Sequence, residues 1–169
     1  MKKSTEKYII ENIQDLIEYG DVGFEKSIVG TASEQRALTH LKTLGYEIQR
    51  HANPDAGGHP DFVLKWKGKG YLIEHKRASK NKYADGSLRL EFQKTRTSKG
   101  DPSSRFYSIN WCNIVSIDVS EHTEVPNDKM FVLATELEKH EQYPKKIKAI
   151  HKQSEYWCND LEEVLEKVQ

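Results

Sequence analysis

The chain has 169 residues, 36% apolar and 31% charged, with 26 Lys and Arg balancing 26 Asp and Glu. That length supports one domain with a real core and excludes two comfortable ones, while the apolar and aromatic content excludes a disordered chain. No apolar run approaches a membrane span, and Cys112 and Cys158, without a Cys-x-x-Cys or Cys/His cluster, read as buried reduced thiols rather than a disulfide or zinc site. The expectation is a single soluble, cytoplasmic domain over residues 1–169.

In chain order, Met1-Lys2-Lys3-Ser4 leads into an amphipathic helix capped by Ser4, with Ile9, Ile13, Leu16 and Ile17 on one face and Gly20 at its end. Asp21 to Gly30 reads as a connection. Thr31-Ala32-Ser33-Glu34 has the form of a capping box and opens a second helix, with Ala37, Leu38, Leu41 and Leu44 on one face and Gly45 as its stop. Tyr46-Glu47-Ile48 is a short first strand. Gly57-Gly58-His59-Pro60-Asp61 is then a loop entering the strand Phe62-Val63-Leu64, and a Gly-Lys turn leads into the strand Tyr71-Leu72-Ile73-Glu74-His75-Lys76.

Leu88, Leu90 and Phe92 alternate with Arg89, Glu91 and Gln93, which favours a strand, and Lys94 to Asp101 is a polar, basic loop. Trp111 to Val119 and Met130 to Ala134 are core strands. Pro144 opens a predicted helix holding Ile147, Ala149 and Ile150, and Asn159 or Asp160 caps a last helix with Leu161, Val164, Leu165 and Val168 aligned. The order gives an α/β fold with a central mixed sheet.

Side chains alternate along a strand, so Leu72, Glu74 and Lys76 share one face and Tyr71, Ile73 and His75 take the other. Pairing with the preceding strand lets Asp61 approach Glu74 and Lys76. Two carboxylates and an ammonium around one point suit a hard divalent cation facing a phosphate, and oxygen-only ligands favour Mg²⁺, with Mn²⁺ able to substitute. Asp55 is a rival in a second Pro-Asp pair, but Ala56-Gly57-Gly58 cannot sustain a strand after it, whereas Phe62-Val63-Leu64 follows Asp61 at once. Asp55 therefore reads as a turn former.

An aspartate after proline followed by Glu-x-Lys on the next strand resembles the PD-(D/E)XK nuclease superfamily, which includes type II restriction endonucleases, junction resolvases and repair nucleases. The resemblance implies a restriction-endonuclease-like core, a central mixed β-sheet flanked by helices, and Mg²⁺-dependent hydrolysis of DNA phosphodiesters. It implies Asp61 and Glu74 as metal ligands, joined by the main-chain carbonyl of His75, and Lys76 as the residue that positions the attacking water and stabilises developing charge. Glu34 is implied at the metal site directly or through water, although the capping box accounts for the same residue without metal. A histidine at position 75 departs from the family's usual apolar residue and fits a hydrogen-bonded group on the sheet's other face. A type II restriction endonuclease acting as a two-fold dimer on double-stranded DNA is the leading expectation. A Holliday-junction or repair nuclease, and a catalytically silent DNA-binding subunit, are the alternatives.

Between Lys65 and Arg105 there are twelve Lys or Arg and four acids, so this segment carries an excess of eight positive charges beside the motif. A polyanion-binding cleft needs such an excess. Gln93, Lys94, Arg96, Ser104 and Arg105 are the DNA-contact candidates, since Arg and Gln can read base edges while Lys and Ser hold phosphates. His59 reads as a loop residue beside the cleft. Trp66, Tyr71, Tyr107, Trp111 and Trp157 read as core or edge packing.

Overall fold

The computed structural model describes residues 22–51, 59–94 and 98–168. The expected first helix, Asp55 and Arg96 lie outside the described residues. Two compact units divide the chain, Met1–Ser33 and Glu34–Gln169, and the second holds all the strands and the candidate site.

Helix α1 runs over Val22–Thr43. The expected connection up to Gly30 is thus helical from Val22 onward. Gly30 has no positive φ and nothing within 4 Å of an added Cβ, so it sits in an ordinary helical turn at a cost of about 1 kcal/mol relative to alanine. Thr31 is therefore inside the helix, and the capping-box reading of Glu34 falls. The helix does stop where expected: Gly45 takes a φ of 91°, and the Tyr46 N–H closes back on the Leu41 carbonyl at 3.1 Å. Ala37, Leu38 and Leu41 are buried, whereas Leu44, expected beside them, is exposed.

The strands are β1 (Glu47–Arg50), β2 (Phe62–Trp66), β3 (Lys69–Arg77), β4 (Arg89–Glu91), β5 (Ile114–Asp118), β6 (Lys129–Leu133) and β7 (Ile150–Lys152). Five form a mixed sheet in the order β1-β2-β3-β5-β6, with β3 and β5 parallel and the other neighbours antiparallel. The remaining pair, β4 and β7, forms a separate antiparallel ribbon. A single helical turn, α2 (Ser120–Thr123), follows β5, and α3 (Leu161–Glu166) closes the described chain. Asp160 caps α3 as expected, accepting from the N–H groups of Glu162 and Glu163.

One face of the large sheet packs Ile48, Phe62, Leu64, Ile73, Ile114 and Phe131 against apolar residues of α1 and α3. The other face, with Val115, Ile117 and Val132, is covered by Leu90 of the ribbon and by Phe92, Tyr107, Ile147 and Trp157. Among the described residues, helices therefore flank one face only. The second layer is, among the described residues, a ribbon with irregular chain.

The segment after Pro144 is part of that layer and is not the expected helix. Ile147 bridges Lys139, its N–H donates to the Tyr107 carbonyl at 2.9 Å, and Ile150 opens β7. These long-range backbone bonds replace the local ladder a helix would need. Cys112 and Cys158 are both free, the first buried and the second half-buried. No helix among the described residues is long and apolar enough to cross a membrane.

Candidate active site

The hairpin between β2 and β3 builds the site. Lys67 and Gly68 form its two-residue turn with φ of 48° and 76°, the positive pair whose twist matches that of the flanking strands. This turn fixes the register Phe62↔Ile73, and one step further Asp61 faces Glu74. The faces are as the alternation requires: Tyr71 and Ile73 join the α1 side, while Leu72 packs toward the ribbon side.

Asp61 Oδ2 accepts the His75 backbone N–H at 2.7 Å. Glu74 is 3% exposed, and both its oxygens are engaged. Its Oε1 accepts from the Tyr107 hydroxyl at 2.6 Å and from the Lys76 ammonium at 2.5 Å, and its Oε2 accepts from the Trp111 indole N–H at 2.9 Å. The structure thus brings Asp61, Glu74 and Lys76 together. Tyr107 and Trp111 arrive from the connection before β5, which is clamped to β3 where Leu72 N–H donates to Asn113 Oδ1 at 2.8 Å and Asn113 N–H returns to the Leu72 carbonyl. Sequence reading placed both rings in packing and missed their polar edges. The available signal was that a buried Tyr hydroxyl or Trp N–H needs an acceptor, and a buried carboxylate needs donors.

Burial and the neighbouring Glu74 charge push the Asp61 carboxyl up to about 7, against the pull of Lys76 and the His75 N–H, with Glu34 adding to the rise. Burial alone would lower the Lys76 ammonium, but Glu74, Tyr107 and Asp61 around it more than offset that and hold it above the usual lysine range. Lys76 is therefore a fixed positive charge.

His75 is buried on the opposite face, with Nδ1 3.1 Å from Ser116 Oγ, and burial holds its imidazole down at about 3. Its side chain points away from the carboxylates, so only its backbone belongs to the site. Glu34, on α1, pairs with Arg50 at 3.2 Å. Among the described residues no three His, Cys, Asp or Glu side chains are grouped to hold a metal ion. Two hard carboxylates with an exchangeable proton still fit Mg²⁺, which keeps several of its waters and takes one or two protein carboxylates.

Of the described DNA-contact candidates, Lys94 meets the rings that contact Glu74. Its ammonium sits over the rings of Trp111, at 4.4 Å, and Tyr107, at 5.5 Å. Gln93 bridges Phe106 and is half-buried, and Arg105 is exposed. Ser104 Oγ accepts from Ser98 N–H and donates to the Asp101 carbonyl, so it braces its own turn. His59 is exposed and stacks on His51 with ring centroids 4.3 Å apart. The basic excess of the segment is smaller in space than in sequence, because Lys65, Lys67 and Arg77 pair with Glu47, Glu166 and Glu121 from outside it.

No protein-family model matches the chain, and no curated protein matches it. Among solved structures it is similar to a bacterial homing endonuclease, I-Ssp6803I, with a TM-score of 0.51 and 14% identity over 76% of this chain and 78% of that one. At that identity the likeness is one of fold.

Proposed function

We propose that the chain is a Mg²⁺-dependent endonuclease that hydrolyses phosphodiester bonds in DNA, with a type II restriction endonuclease as the leading subtype. The observation that carries this reading is the convergence of Asp61, Glu74 and Lys76 on one hairpin, with the Asp61 proton retained to about pH 7 by burial and by Glu74. Folding does not require two acids and a lysine at one point. The fold shared with a homing endonuclease supports the same class of activity on the same class of polymer.

In the proposed reaction, Asp61 and Glu74 would hold Mg²⁺, with the His75 main-chain carbonyl joining them. The ion would supply Lewis-acid polarisation of the scissile phosphate and a lowered pKa for the attacking water. Lys76, permanently charged, orients that water and offsets the negative charge that grows on the phosphoryl oxygens. In-line attack by the water would form the new P–O bond as the bond to the 3′ oxygen breaks, the water's proton passing to solvent and the 3′ oxygen taking one from it, which leaves a 5′ phosphate. Asp61 would bind the ion as the carboxylate, its proton passing to solvent. One site per chain and two strands to cut are met most simply by a two-fold dimer of this chain on a palindromic duplex.

The test is incubation of the purified protein with plasmid, branched and single-stranded DNA in Mg²⁺. Discrete fragments from plasmid support a restriction enzyme, and cutting confined to the branched substrate points to junction or repair activity. Binding without cutting in either Mg²⁺ or Mn²⁺ leaves a DNA-binding module and overturns the enzyme.

A further inference from the structure

Trp111 touches charged groups on two sides. Along its edge, the indole N–H donates to Glu74 Oε2 at 2.9 Å, and over its face the Lys94 ammonium lies 4.4 Å from the ring centroid. Tyr107 repeats the arrangement more weakly, with its hydroxyl 2.6 Å from Glu74 Oε1 and its ring 5.5 Å from Lys94. The loop that carries Lys94 is tied down independently, through the Lys94 N–H to the Arg105 carbonyl at 2.9 Å and the bridge between Gln93 and Phe106. A ring that only filled space would have no need of a charged partner at both edge and face.

Lys94 has no carboxylate within ion-pair distance among the described residues. Burial, then the nearby charge of Lys146, lowers its ammonium, so an incoming anion would relieve it. An ammonium held on an aromatic face loses less freedom on meeting a phosphate than a free surface lysine does.

We infer that Trp111 is a positioning residue that sets two groups in fixed relation, the Glu74 carboxylate through its N–H and a phosphate-binding Lys94 through its ring. The inference rests on the metal-nuclease reading for what the two groups serve. Its geometry predicts coupling between cation affinity and backbone-phosphate affinity through a single side chain. Groups that orient a metal ligand in this way are worth about 10–100-fold in metal affinity when lost.

The test uses Ca²⁺ alone by calorimetry, and a duplex oligonucleotide in EDTA across a salt series. Trp111→Phe keeps a ring for Lys94 and removes the N–H, so Ca²⁺ binding should weaken about 10-fold or more while duplex affinity in EDTA stays near wild type. Trp111→Leu should also weaken duplex binding and lower the salt slope by about 0.9, the share of one phosphate contact, as Lys94→Ala should. The double variant Trp111→Leu/Lys94→Ala should then bind duplex no more weakly than Lys94→Ala alone. Wild-type Ca²⁺ affinity in a folded Trp111→Phe protein, or additive duplex losses in the double variant, would overturn the inference. Should Trp111→Leu fail to fold, Trp111→Phe and Lys94→Ala still decide it, since a Lys94→Ala protein with unchanged salt slope removes the phosphate contact. These readouts need no cleavage, so an inactive protein would count against the nuclease reading and not against this one.

Discussion

The Asp61 carboxylate accepts the backbone N–H of His75 at 2.7 Å, so the first acid of the motif is fastened to the residue between Glu74 and Lys76. The bond fixes Asp61 without using a side-chain donor. Its consequence is that Asp61 can be altered without collapsing the Glu74 cluster, whereas Glu74 cannot be altered so lightly.

Asp61→Asn should abolish Mg²⁺-dependent cleavage and stabilise the metal-free protein at alkaline pH. The sign follows from the raised carboxyl: folded, it holds its proton to about 7, against 3.8 for an ordinary aspartate, so its contribution is full below the unfolded value and is lost as pH rises through 7. Thermal melts in EDTA should show Asp61→Asn above wild type at pH 8, with the gap closing toward pH 5. Equal melting curves at pH 8 would mean that the carboxyl is not held protonated.

The same group makes cation binding pH-dependent. Below about pH 7, Ca²⁺ must displace the Asp61 proton, so affinity should fall by about tenfold for each unit the pH is lowered. Above it the affinity should level off. Lys76 stays charged throughout, so no second change is expected up to pH 9. Calorimetry from pH 5.5 to 9 checks both limbs.

Glu74→Ala should lose activity and also cost about 3 kcal/mol of stability, because the truncation strands the buried Tyr107 hydroxyl and the part-buried Lys76 ammonium and Trp111 N–H. Glu74→Gln keeps one acceptor oxygen, enough for Lys76 and Tyr107 though not also for the Trp111 N–H, and should lose less stability than Glu74→Ala while remaining inactive. Urea denaturation of the two variants beside the wild type separates the roles, and a Glu74→Ala protein as stable as the wild type would show that the cluster around Glu74 contributes nothing to folding.

Glu34 offers a sharper comparison now that its place inside α1 removes the capping explanation. Its partner is Arg50, at 3.2 Å, and the loss of such a partly exposed pair costs less than about 1 kcal/mol. Glu34→Gln should therefore melt close to wild type and require more Mg²⁺ for cleavage. An unchanged Mg²⁺ requirement would confine Glu34 to its ion pair.

The hairpin and its acids were legible in the sequence because the Gly-Lys turn signal and the alternation of Tyr71 to Lys76 are local signals that tertiary packing reinforces, although the turn itself falls at Lys67-Gly68. The segment from Val22 to Gly30 misled because glycine is a statistical stop signal that a long helix can absorb. Ile147, Ala149 and Ile150 misled because their spacing suits a helix, while their backbone partners, Tyr107 and β4, lie far away in sequence. The same distance hid Tyr107 and Trp111: no local pattern says which buried acid a distant hydroxyl or indole will meet. The charge count overstated the basic face, since its neutralising acids come from elsewhere in the chain.

The central claim is tested most directly by incubating duplex DNA with wild-type and Glu74→Gln protein in Mg²⁺ and in EDTA, and analysing the ends of any product. Cleavage by the wild type in Mg²⁺ alone, leaving 5′ phosphates, with none by Glu74→Gln, is the predicted result. Cleavage that persists in Glu74→Gln or in EDTA, or no cleavage by the wild type in Mg²⁺ or Mn²⁺, would contradict it.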